Sequence, residues 1–184
     1  MVRAYEDRAV PDDVLDRVLD AARRAPSAGN SQGVDLVVLT GPEVARYWSI
    51  TLASPDEFRW RGLLTAPVLV LPLVSAARYT DRYSERDKAA HGLGDESAWP
   101  VPYWWVDGGM AVENLLLAVV AEGLGACFFG LFDHEAEVLA WLGVPDDRRA
   151  LGTVSLGYPA PDEPGLSASR PRRPFDEVVH RGRW

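Results

Sequence analysis

Apolar residues fall at helical spacing in the first third of the chain. Val14, Leu15, Val18, Leu19 and Ala22 make one stripe, the pattern of an amphipathic helix. Pro11-Asp12-Asp13 opens it, with proline at the first position and carboxylates in the first turn. Asp13/Arg17 and Asp20/Arg24 are supportive i,i+4 pairs, and the helix stops before Pro26. Val34 to Leu39 reads as a buried strand. Gly41-Pro42 begins a turn into a helix over Glu43–Leu52. VLVLPLV at 68–74 is a second strand, and Pro72 inside it predicts an edge position or a bulge. From Leu115 to Ala121 seven consecutive residues are apolar. A helix without a polar face belongs in a core or a membrane. The stretch Met110–Leu124 is short for a bilayer and is interrupted by Glu113, Asn114 and Glu122. It therefore reads as a central core helix that also meets a second subunit, with Asp107 as N-cap and Gly108 and Gly109 in the first turn. Gly123 and Gly125 end it. Cys127, Phe128 and Phe129 suit a buried strand. An amphipathic helix over Asp133–Leu142 and a strand over Ala150–Leu156 complete the pattern.

Two segments carry no such pattern. Ser75 to Tyr103 reads as irregular, but Tyr79, Tyr83, Trp99, Tyr103, Trp104 and Trp105 make it too aromatic for disorder. A lid or subunit-contact insertion over 75–105, lining a pocket, is the expectation. Ala160 to Pro174 reads as a linker and Phe175–His180 as a short strand or helix. A terminal tryptophan, Trp184, calls for burial. The extension 160–184 is therefore expected to dock, on its own subunit or on a partner.

A length of 184 residues fits one domain, 1–184, with a real core. A hydrophobic fraction of 47% and a charged fraction of 25% are ordinary for a soluble globular protein. The net charge of -8 argues against nucleic-acid binding, and no membrane partner is expected. One cysteine excludes an intramolecular disulfide and fits a reducing cytoplasm. The charged N-terminus, with Arg3, Glu6, Asp7 and Arg8, does not read as a signal peptide. The extension carries Arg170, Arg172, Arg173, Arg181 and Arg183 against Asp176 and Glu177. Such a cluster is either a small-anion site or a solvated tail.

The sequence has no G-x-G-x-x-G, P-loop or G-x-S-x-G motif. His91, His134 and His180 lie far apart, so neither a metal site nor a hydrolytic constellation is supported. Cys127 lies in an apolar run, as a structural thiol does. The polar loop 24–32 offers Ser27, Asn30, Ser31 and Gln32, which both donate and accept hydrogen bonds. They suit a heteroaromatic edge with hydroxyls, and they equally suit a helix-to-strand turn. With no catalytic side chain in view, any chemistry falls to a bound cofactor.

Several stretches together resemble the FMN-dependent nitroreductase family. They are VPDDVLDRVLDAARRAPSAGNSQ (10–32), the strand after TAP (65–67), DGGMAVENLLLAVVAEGLGACFFG (107–130), LGYP (156–159) and RRPFDEVVHRGRW (172–184). The resemblance implies an α+β fold, a mostly antiparallel central sheet flanked by helices, in a domain-interlocked homodimer with a long central helix across the two-fold. It implies FMN at the subunit interface. Arg3 and Arg172 or Arg173 would hold the phosphate. Pro26, Ser27 and Asn30 would face the ribityl chain and ring edge, with Gln32 nearby. The backbone at Phe129, Gly130 and Leu131 would stand against flavin N5. Trp99, Tyr103 and Trp104, with Phe58 and Trp60, would wall the substrate pocket. NADH or NADPH would reduce the flavin, and an electron-poor small molecule such as a nitroaromatic or quinone would reoxidise it. The pattern departs from the family at its start: members carry a pair of basic residues just before the position of Met1, and here only Arg3 remains. A dedicated biosynthetic or flavin-fragmenting enzyme, or a non-catalytic flavin or deazaflavin carrier, shares the same fold.

Overall fold

The computed structural model describes residues 1–163, 165 and 168–184. Its helices are α1 (Asp12–Arg23), α2 (Pro42–Thr51), α3 (Ala76–Ser84), α4 (Tyr103–Ala121) and α5 (Glu135–Leu142). Its strands are β1 (Val34–Thr40), β2 (Val68–Val74), β3 (Gly125–Phe129), β4 (Arg149–Ala150) and β5 (Thr153–Gly157). The strands form one antiparallel sheet in the order β1-β2-β5-β3, with β4 also on β2. This is the α+β arrangement that the resemblance implies.

Every side chain of β2 is buried, because alternate residues point to opposite faces and helices cover both. Val68 and Val70 pack with Val18, Leu115 and Val119 of α1 and α4. Leu69, Leu71 and Leu73 pack with Tyr47, Trp48 and Val138 of α2 and α5. An unbroken apolar run is what a strand needs when neither face meets water.

Pro72 is not at an edge: β1 lies on one side of β2, and β4 and β5 on the other. The bulge is on the neighbour. Val70 pairs with Val154 and Leu73 with Ala150, so three steps on β2 face four on the partner. Gly152, at φ 148°, is the extra residue. Leu151 N–H donates to the Pro72 carbonyl at 3.0 Å. In a strand the N and C=O of one residue point the same way, so the missing N–H of Pro72 faces this break, where the ladder does not ask for it.

Two further expectations change. The central helix begins at Tyr103, about a turn before Asp107, so Asp107, Gly108 and Gly109 are interior and not a cap. At 19 residues α4 is also long enough to cross a membrane, yet Leu115, Val119 and five others on it are buried in the fold. Its other face leaves Leu117 60% and Val120 69% exposed. Next, 75–103 is not irregular throughout. Ser75 accepts from the Arg78 N–H at 3.3 Å and starts α3. The extension starts against its own chain, where Ala160 N–H donates to Ala4 O at 3.0 Å and Asp162 accepts the Arg3 N–H at 2.7 Å, whereas residues 170–184 are all exposed, Trp184 by 97%.

Candidate functional site

The N-terminal segment is laid along the ends of β3 and β5. Val2 N–H donates to Ala126 O at 2.8 Å, and the buried Tyr5 hydroxyl meets Ser155 Oγ at 2.9 Å. This brings Arg3 to a cavity of about 390 Å³ between α2, the 58–63 turns and the end of β3. Trp48, Phe58, Trp60, Phe129 and Phe132 form its aromatic wall. Trp48 and Phe129 stack at 5.7 Å and 17°, and the Arg3 guanidinium sits 4.9 Å from the Trp60 ring centroid. Among the described residues no carboxylate lines this cavity, so its one side-chain charge from an arginine or acid is the cation of Arg3. Tyr47 hydrogen-bonds Thr153 Oγ1 at 2.8 Å, and burial holds its phenol up at about 12. Burial likewise raises the Cys127 thiol, against an opposing pull from Arg3. A thiol kept protonated is a wall and not a nucleophile. Past β3 the chain turns through Gly130 and Leu131 into Phe132, whose φ is 45°. Left-handed backbone is rare for a bulky residue.

A second polar constellation lies at the turn between α1 and β1. Gly29, Asn30 and Gln32 all have positive φ, at 61°, 57° and 49°. Ser27 Oγ accepts the Gln32 N–H at 3.0 Å. From beneath, Asp107 Oδ2 accepts the Ala28 N–H at 2.7 Å and the Tyr79 hydroxyl at 2.8 Å. Burial, then this carboxylate, pushes the Tyr79 phenol well above its ordinary range. The Tyr83 ring closes on Gly29, where a Cβ would stand 2.8 Å from Cε2. Pro26, Asn30 and Gln32 are left facing outward and exposed. Among the described residues no group of three His, Cys, Asp or Glu side chains could hold a metal.

The nitroreductase family model matches residues 1–158. The chain belongs to the nitroreductase family. An NADH dehydrogenase of Thermus thermophilus is 30% identical over 194 residues, spanning 97% of this chain and 89% of that protein. An FMN reductase (NADPH) of Bacillus subtilis is 23% identical over 183 residues, spanning 97% and 68%. In three dimensions an FMN-dependent nitroreductase of Clostridium difficile R20291 superposes with a TM-score of 0.68 at 18% identity, covering 100% of this chain and 94% of that one.

On this nitroreductase fold, the residues singled out in the sequence fall into separate places. Arg3, Phe129, Gly130 and Leu131 line the aromatic cavity, as do Phe58 and Trp60. Pro26, Ser27, Asn30 and Gln32 belong to the strained turn and do not line that cavity. Arg172 and Arg173 lie in the exposed extension, where Arg173 bonds Glu177 at 2.7 Å through its carbonyl. Trp99 and Trp104 are buried with Tyr79 and Val74 in an aromatic cluster. They pack the protein from inside, while Tyr103 beside them is exposed. Two contributors escaped the sequence reading. Asp107 gave a cap signal, and its interior role shows only once Tyr103 is seen to start the helix. Trp48 sat in a plain amphipathic helix with nothing to mark it.

Proposed function

We propose that two copies of this chain hold FMN between them and act as an NAD(P)H-dependent oxidoreductase. The observation that carries this reading is the cavity that joins a cation, Arg3, to aromatic walls and to the backbone of 129–131. That lining fits the group: a planar apolar ring system takes the aromatic face, and a guanidinium suits a phosphate dianion. The names of the Bacillus subtilis and Clostridium difficile relatives support the choice of cofactor. Bound FMN supplies hydride acceptance and delivery at N5, alternating between NAD(P)H and an electron-poor acceptor such as a nitroaromatic or a quinone.

The chain's own residues have the tasks of holding, orienting and shielding. Arg3 anchors the anionic end, joined by Arg172 or Arg173 of the extension. The backbone at Phe129, Gly130 and Leu131 presents its polar groups to the ring edge. Ser27, Asn30 and Gln32 offer donors and acceptors from a turn that a single protomer does not place in the cavity, so this reading has the second copy supply it. Support for pairing is the apolar face of α4 at Val106, Leu117 and Val120, a patch of the kind that marks interfaces. The exposed Phe175, Val178 and Trp184 suit an extension that wraps a partner, and the 75–105 segment supplies Tyr103 at the same side as α4.

The test is the absorbance spectrum of the protein reconstituted with FMN, followed by anaerobic titration with NADH and with NADPH. Bound flavin that bleaches with either nicotinamide and recolours on addition of a quinone is the expected result. Protein that fails to retain FMN overturns the reading, and retained FMN that neither nicotinamide reduces turns it into a carrier.

A further inference from the structure

The turn that would meet the flavin is held in an unfavourable shape by its own chain. Three of four consecutive residues from Gly29 to Gln32 have left-handed backbone, two of them not glycine. Gly29 takes that backbone without cost, but Asn30 and Gln32 do not, and such conformations persist only where the surroundings over-determine them. The surroundings can be named. Arg82 Nε donates to Gly29 O at 2.9 Å and is itself held by Asp87 at 2.8 and 2.7 Å. Asp107, only 2% exposed, takes the Ala28 N–H and the Tyr79 hydroxyl on one oxygen. Ala28 is the first residue of the turn, directly after Ser27 and directly before the strained run.

We infer that Asp107 is the positioning residue of this turn. Its carboxylate fixes Ala28, and through Ala28 it fixes where Ser27, Asn30 and Gln32 stand. The inference rests on the flavin reading for its purpose. Asp107 itself touches no ligand; it acts through the backbone of the turn. It is carried on α4, the helix whose outer face is proposed to meet the second copy. One element would thus set both the pairing and the height of the turn.

The test uses the full chain. In the free protein, hydrogen exchange of the Ala28 amide reports the anchor directly. With ligand, fluorescence quenching gives the affinity for FMN and for riboflavin. Asp107→Ala is expected to lose Ala28 protection and to weaken both flavins about tenfold, ~1.4 kcal/mol. The loss should be equal for the two, since the turn meets the ring and ribityl chain and not the phosphate. Asp107→Asn, whose amide oxygen can accept both bonds, should keep protection and stay within about threefold. Should Asp107→Ala fail to fold, Ala28→Pro decides. It deletes the donor where Ser27, at φ -138° and ψ 147°, already has the backbone that precedes proline, and it should weaken both flavins alike. Unchanged Ala28 exchange in Asp107→Ala, or unchanged affinity in a folded Ala28→Pro, overturns the inference. Wild-type protein that binds neither flavin overturns the functional reading instead, and the exchange measurement still decides the role of Asp107.

Discussion

Gly152→Ala probes the link between the sheet and the cavity. A Cβ at Gly152 would stand 2.4 Å from the Phe129 carbonyl oxygen and 2.8 Å from Phe128 Cε2. The first of these is a backbone atom, and Phe129 is paired with Thr153, so it cannot yield without breaking the end of β3. The φ of 148° adds backbone strain, of about 1–3 kcal/mol for an L side chain. Forced packing in a filled interior adds about 1–3 kcal/mol. The sum, about 2–6 kcal/mol, is a large part of a typical stability of about 5–15 kcal/mol. Thermal unfolding followed by far-UV circular dichroism should show it, with a fall in Tm of at least about 4 °C. Flavin affinity should fall as well, because Phe129 leads directly into the 130–131 backbone. A variant within about 0.5 kcal/mol of wild type would refute the claim that the bulge needs a residue without a side chain.

Other outcomes follow from the same geometry. Burial raises the phenols of Tyr5, Tyr47 and Tyr79, with Tyr47 at about 12 against 10.0 unfolded. Their contribution is intact below pH 10 and is lost as pH rises toward 12, because the unfolded chain releases protons that the folded one keeps. Urea midpoints that stay level from pH 9 to 11.5 would contradict this. Replacing Leu117 and Val120 together by Glu should give a smaller species in light scattering, and an unaltered mass would remove α4 from the interface. Phe132, 86% exposed at φ 45°, gains little from its ring. Phe132→Asn should stabilise the protein by about 1 kcal/mol, since asparagine tolerates left-handed backbone, and a loss of stability in thermal unfolding would count against strain at that position.

The strands and α1 were legible because period and composition agreed there. Val14 to Ala22 shows one stripe, and β2 shows an apolar run long enough for a strand and too short for a helix. What stayed hidden was set by contacts far apart in sequence. The start of α4 is masked because Trp104 and Trp105 fit an aromatic lid as well as a helix, and Asp107-Gly108-Gly109 imitates a cap. In truth Gly108 lets α4 ride close to β2, where a Cβ would stand 2.7 Å from Val74 Cγ1. The segment forming α3 carries little apolar signal beyond Tyr79 and Tyr83, so its burial is visible only with Trp99 and Trp104 in place. Of the expected cofactor residues, Arg3 and 129–131 meet in one protomer. The turn at 27–32 and the arginines of the extension lie away from that cavity; on the proposed reading a second copy would bring the turn to it, and no local sequence pattern tells which copy of a chain a side chain serves.

The proline in the middle of β2 has a reach beyond its own strand. Slide β5 by one residue and an amide-seeking carbonyl would face a ring nitrogen that has nothing to give. The observed alignment, with Val154 opposite Val70, leaves that nitrogen at the break beside Gly152, and the next residue along β5, Thr153, pairs on its other side with Phe129. A residue with no side-chain chemistry, on the far side of β5 from Phe129, thereby acts as a ratchet tooth for the wall on which the ring of a guest molecule would rest.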